Sequence, residues 1–426
     1  MKSNNEHVPN NSAHVPRRSV PRLAAAVALA AGLIVTAGCT AQSPNGDVDP
    51  VRIGLVIHQT GPFADLGRME LIGAKLAVEE INASGGIKSL GGAPIELVVE
   101  DAGESAGTAV SAFNRALDKG VVAVEGTGVS STTLAITEVA ERRQVPVLSV
   151  AFEDSITERG FQYSFVTSPK LSEVTEMWVN ALDDLSAASG NDIERVMIIS
   201  GVGVAASGPA AAVREQFAPE MGWDIVGDVT VEENSLADAT PIVEQVHATN
   251  PQYLLIGAGV SDIQKISRKQ VERGMKPVPW VLTGAQYLGQ AFLDALGEDA
   301  VEGSMGIAAS APFKDQSELA ERIRAAGDPF PQQYHLVPYS HIHLFAEALE
   351  DAGSADSTDI RNALASIDVA AVPASAAWPA QRMRFDDTGR AVDRQAVLVQ
   401  WQRGKTVTVY PTELAEGAPL FPHDTE

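Results

Sequence analysis

Val51-Arg-Ile-Gly-Leu-Val-Ile57, His58-Gln-Thr-Gly-Pro-Phe63 and Pro94-Ile-Glu-Leu-Val-Val-Glu-Asp101 decide the fold of this 426-residue chain. The first is a short apolar run rich in β-branched residues, the pattern of a buried strand. Gly61 and Pro62 break it, and Thr60 offers a local cap. Leu71, Ala74, Ala77, Val78 and Ile81 then recur at three- and four-residue spacing, with Glu79 and Glu80 off the stripe, so the spacing predicts an amphipathic helix. Gly85 and Gly86 end it with the positive φ that a C-terminal cap needs. Pro94 to Asp101 is the next strand. Strand, loop, helix and strand in succession make a βαβ unit, which builds parallel sheets with helices on both faces.

The rhythm continues outward. Strands are expected at 121–126, 145–150 and 161–167 with helices between them. From Lys170 it restarts: strands at 195–200, 223–231, 253–256 and 280–283 alternate with helices, so two successive doubly wound α/β units are implied. Near the end, 338–351 and 359–367 carry helix patterns, and 396–401 with 406–410 form a hairpin around Arg403-Gly404.

The amino-terminal side has a different character. Arg17, Arg18 and Arg22 precede an apolar run from Leu23 to Val35, too short to span a bilayer and suited to a signal-peptide core. Thr36-Ala-Gly-Cys39 resembles a bacterial lipobox, in which Cys39 is lipidated and becomes the mature N-terminus; an incidental cysteine in a non-lipidated secreted protein is the alternative. Residues 1–38 then form the signal peptide and 39–50 the lipidated cysteine and tether. Cys39 is the sole cysteine, which excludes an intramolecular disulfide and a cysteine metal site. The formal net charge is −24, and removing residues 1–38 makes it more acidic still. Such a chain lacks the basic face that nucleic acid or anionic lipid requires.

In an open parallel sheet, ligands sit where strand carboxyl ends meet helix N-termini. The loops placed there are 58–66, 126–133, 151–157, 201–208, 257–261 and 284–287. Ser130-Ser-Thr-Thr133 precedes a helix, so its hydroxyls and free N–H groups suit a carboxylate, or simply cap that helix. Gly201-Val-Gly-Val-Ala-Ala206 imitates a dinucleotide fingerprint, a pattern that glycines in any βα turn of an alanine-rich chain produce by chance. His341 and His343 stand two apart and cannot share a helix face, which argues against a metal. No G-x-S-x-G, H-E-x-x-H or S-x-x-K constellation occurs, so neither an enzyme nor a cofactor is expected.

Thr60-Gly-Pro-Phe63, Glu80-Ile-Asn-Ala-Ser-Gly-Gly-Ile87, the Ser130 loop, Thr157-Glu-Arg-Gly160 and Phe385-Asp-Asp-Thr-Gly389 together resemble the leucine/isoleucine/valine-binding family, solute receptors of ABC importers. The resemblance implies two Rossmann-like lobes joined by three crossovers near 168–170, 303–309 and 386–394, closing on ligand by hinge motion. The lobes would comprise 51–169 plus 308–390 and 170–307 plus 391–411, followed by a tail at 412–426. It implies that Ser130 is the family's carboxylate-binding hydroxyl, with Ser131 and Val129 beside it. Elsewhere this chain departs from the family. Phe152 stands for a threonine, Leu66, Ser207 and Val260 for tyrosines, and Gln286 for the acidic partner of the ligand ammonium. A buried ammonium without a carboxylate is costly. Either Glu153 or Asp154 supplies the charge, or the ligand is an amide, an aromatic acid or another organic solute. His58 and Tyr287 are expected to pack or orient it. The implied partners are a small solute, an ABC permease and its ATPase, and the membrane through the lipid anchor, outside the cytoplasm. A sensor subunit for a membrane signalling protein is the alternative, and a nucleotide-using enzyme a more distant one.

Overall fold

The Val51 run forms β1 (Val51–Ile57), parallel to β2 (Ile95–Asp101) on one side and to β3 (Ala123–Gly126) on the other. Six of its seven residues are buried, and only Arg52 faces water. With β4 (Val147–Ser149) and β5 (Ser164–Val166) they make a parallel sheet of order β2-β1-β3-β4-β5. These features come from a computed structural model that describes residues 48–202, 204–232, 234–313 and 317–421. Cys39 and the expected signal segment lie outside the described residues.

A second sheet begins with β6 (Arg195–Gly201) and continues through β7 (Asp224–Val231), β8 (Tyr253–Gly257), β9 (Trp280–Leu282) and β10 (Met305–Ala308). A small antiparallel pair, β11 (Asp368–Ala370) with β12 (Arg382–Arg384), stands apart. The hairpin of β13 (Val397–Gln402) and β14 (Lys405–Tyr410) then joins the second sheet, giving the order β14-β13-β10-β9-β8-β6-β7. Each sheet thus reverses its winding beside an early strand, β1 or β6, and such switch points leave a crevice at the strand ends. The fold is the two-lobed α/β architecture. The chain leaves the first sheet after β5, turns away from the second after β10 and returns to it before β13.

Helix Ala64–Ala83 buries Leu66, Met69, Ala74, Ala77 and Ile81, while Leu71 and Val78 are only half-buried. The stripe is rotated because helix Gln333–Ala352 covers the far side. Gly73 permits that close approach: a Cβ there would lie 2.0 Å from the His335 carbonyl oxygen. Gly73→Ala is therefore expected to cost about 1–3 kcal/mol by overpacking. A denaturation midpoint equal to that of the parent protein would show that the two helices separate freely.

Helix Gln333–Ala352 starts well before the expected position, with Pro338 inside it. Proline suggests a first turn, but nearly every residue of this helix up to Phe345 is buried, and packing on both sides overrides the lost N–H. Strand β10 was not expected from sequence at all, because Met-Gly-Ile-Ala is too short and mixed to show a period. The largest hydrophobic cluster runs through both sheets, from Ile53 and Leu55 to Met197, Ile199 and Leu254.

Candidate functional site

The loop after β1 is shaped by Asp101 at the end of β2. Its carboxylate accepts from the Gln59 N–H at 2.9 Å, the Thr60 hydroxyl at 2.7 Å and the Gly103 N–H at 2.9 Å. Burial alone would raise its pKa, yet these donors together hold it below the usual carboxylate range. Thr60 is thus spent on Asp101, and its side chain caps no helix. His58, buried, contacts the Gly103 carbonyl through Nδ1 at 2.6 Å and Thr132 Oγ1 through Nε2 at 3.3 Å, with its ring 5.5 Å from that of Phe63. It braces the loop from behind.

The loop after β3 carries the hydroxyl run. Thr127 Oγ1 lies 2.7 Å from Thr132 Oγ1 and 2.9 Å from Thr133 Oγ1, and Ser149 Oγ donates to the Thr127 carbonyl at 2.7 Å. These buried groups satisfy one another. Ser130 and Ser131 open helix Ser130–Arg143 and face the crevice, with Val129 at the cap position contributing no side-chain bond. Their first-turn N–H groups and hydroxyls are where a carboxylate would be met.

Between the sheets lies a cavity of about 430 Å³, within the range of small-molecule sites. The first sheet's side supplies Phe63, Leu66, Glu104, Val129, Ser130, Ser131 and Phe152, with Tyr334 from helix Gln333–Ala352. The second supplies Ala206, Asn234, Gly257 to Val260, Thr283, Gly284, Gln286, Tyr287 and Ile307. Leu171 and Val174, from the helix that follows β5, complete the lining. Tyr287 is fixed by its hydroxyl, which donates to the Ala258 carbonyl at 2.8 Å. Gly128 is required beneath Tyr334, since a Cβ there would meet the ring at 2.6 Å and Glu70 Oε1 at 2.7 Å. Glu70 itself is 1% exposed. Burial, reinforced by nearby Glu125, pushes its pKa well above the normal range against the pull of the Gly128 N–H.

Leu66, Val129, Ser130, Ser131, Phe152, Val260, Gln286 and Tyr287 thus share one cavity wall. Three expected residues are absent from it. Ser207 was expected in a loop, but helix Val204–Ala212 occupies that stretch, alanine favouring helix, and turns Ser207 outward while Ala206 faces the cavity. Glu153 accepts from the Ser155 hydroxyl at 2.8 Å and, like Asp154, does not line the cavity. His58 lies behind Phe63. The carboxylate that does reach the wall is Glu104, from the turn after β2, a strand end not counted among the expected site loops. Tyr334 was missed too, because its helix was not expected to begin before Pro338.

Residues 50–406 match the family model for periplasmic binding proteins. The chain belongs to that family. Its curated relatives include the Leu/Ile/Val-binding protein homolog 7 of Brucella suis biovar 1, 27% identical over 376 residues that cover 86% of this chain and 92% of that one. Among solved structures, the branched-chain amino acid transporter substrate binding protein LivJ of Streptococcus pneumoniae, in complex with isoleucine, superposes with a TM-score of 0.73 at 23% identity, covering 87% of this chain and 99% of that one. An ABC transporter solute binding protein of R. palustris in complex with benzoate gives 0.69 at 15% identity, covering 87% and 98%. At such identities the structural likeness speaks for the fold alone. Periplasmic binding proteins act outside the cytoplasm, and no described helix of this one is long and apolar enough to cross a membrane.

Proposed function

We propose that this periplasmic binding protein captures a small organic solute between its two lobes and delivers it to an ABC permease and ATPase, without catalysis. The observation that carries this reading is the shared wall: one cavity takes residues from the strand ends of both sheets, so a solute bound there joins the lobes. In the proposal the lobes exchange chain near residues 169, 308 and 390, and closure is rotation about those crossings. Cys39, lipidated, tethers the receptor to the cell membrane through the segment up to Pro50. Relatives solved with isoleucine and with benzoate support a solute bearing a carboxylate.

Ser130 and Ser131 receive that carboxylate. Neither side chain bonds another protein group among the described residues, in contrast to the knitted threonines behind them. Phe152 and Tyr287 pack the body of the solute, and Gln286 contributes a neutral polar contact. Ser130→Ala is expected to weaken solute binding by about 1–3 kcal/mol while leaving the melting temperature of the empty protein unchanged. Isothermal titration of both proteins checks this; equal affinities would remove Ser130 from the site.

A further inference from the structure

Among the described residues, the cavity wall carries one side chain of an acidic or basic residue, and it is acidic. Glu104 lines the cavity from the turn after β2, and no lysine, arginine or histidine lines it. A Cβ placed on Gly61 would fall 2.3 Å from Glu104 Oε1, so the carboxylate lies over the loop that follows β1, beside Pro62 and Phe63. Gln286, across the cavity, is neutral. Glu70 is buried behind Gly128 and does not line the cavity. Phe63, Phe152, Tyr287 and Tyr334 offer aromatic rings, whose faces attract cations.

An anion meets only neutral donors here: backbone N–H groups at the first turn of helix Ser130–Arg143 and of helix Val260–Glu272, and the Ser130 and Ser131 hydroxyls. A solute that is solely anionic would take such a place and leave Glu104 opposing it. We infer that the solute carries a positive charge and that Glu104 is the side chain that meets it; this rests on the receptor reading above. The sheet also sets a length. The loops after β2 and β3 flank the one after β1, and Glu104 leans over that middle loop. Its carboxylate is therefore one to two strand spacings from the Ser130 turn, roughly 5–10 Å. An amine, guanidinium or quaternary ammonium several bonds away from a carboxylate spans that interval with room for both contacts.

The test is calorimetric titration of ligand-stripped protein beginning at Thr40, with pairs of probes that differ only by an amino group: pentanoate against 5-aminopentanoate, and 4-methylbenzoate against 4-(aminomethyl)benzoate. The aminated member of at least one pair is expected to bind at least about tenfold more tightly than its parent acid. Glu104→Gln should reduce that advantage by roughly 5–30-fold, the lower end reflecting the exposed position of Glu104, and should let the parent acid bind more tightly. Parent acids that match their aminated partners, or a variant that loses both equally, would overturn the inference. If none of the four probes binds the parent protein, this solute class is refuted. The receptor reading is judged separately, by whether any member of a broad solute panel draws the lobes together in solution scattering.

Discussion

Replacing Arg390 by methionine is expected to cost about 3–5 kcal/mol of folding stability. Arg390 is fully buried where the chain returns to the second sheet. Its Nε donates to Thr157 Oγ1 at 2.9 Å, one terminal nitrogen to the carbonyls of Pro169 at 3.1 Å and Ser168 at 3.3 Å, and the other to the Glu153 carbonyl at 2.8 Å. No carboxylate hydrogen-bonds the guanidinium among the described residues. Burial pulls its pKa down to about 10 against the opposing field of Asp154, which still leaves it charged at pH 7. Methionine fills much of the space but strands four acceptors, at about 1 kcal/mol each. Lysine, with a point charge in place of a planar fork, should recover only part of the loss. Urea unfolding followed by tryptophan fluorescence measures both variants. A loss below about 1 kcal/mol for the methionine variant would show that water replaces the guanidinium and that the staple is not structural. The same bonds join Arg390 and the Ser168-Pro169 backbone to the loop that carries Phe152, so the lysine variant, where it folds, should also bind solute more weakly.

Between pH 6.5 and 4 the protein is expected to lose up to about 3 kcal/mol of stability through His343. This side chain, 8% exposed, sits on helix Gln333–Ala352 with its ring 4.7 Å from that of Tyr339. Burial lowers its pKa to about 4; Glu80, at 4.0 Å, opposes the shift and Arg322 reinforces it. The unfolded chain takes up this proton near pH 6.5 and the folded protein only near 4. In that window the unfolded state holds more protons, so stability is complete above it and falls as pH drops. At 1.36 kcal/mol per unit the difference comes to about 3 kcal/mol. His343→Leu should flatten the loss, as read from chemical denaturation at pH 7, 5.5 and 4.5. Parallel curves for the two proteins would remove His343 as the cause. Asp328 acts in an adjoining window. Burial would raise its pKa, but His335, the Phe330 N–H and Arg68 hold it down to about 2, so its contribution is lost only below about pH 3.8.

The βαβ unit around Val51 was legible because its period and its breakers agree over about fifty residues, and the hydroxyl run at 130–133 was legible as the opening of a helix at a strand end. Ser207 and Glu153 were misplaced by the same logic run too far. Loop-like composition at 201–208 gave way to helix, and Glu153 turned to Ser155. Glu104 escaped notice because β2 is an edge strand whose following turn looks like a helix lead-in, while its long side chain reaches over Gly61. Arg390 meets partners more than 200 positions away, a relation that no local pattern records.

The most direct test of solute capture is a thermal-shift screen of refolded, ligand-free protein beginning at Thr40, against amino acids, amides, aromatic acids, aminated acids and nucleotides. A solute held between the lobes at a hundred times its dissociation constant should stabilise the protein by about 2.7 kcal/mol, a rise of several degrees, and Ser130→Ala should shrink that rise. A shift produced by nucleotides and by no small organic solute would contradict the account.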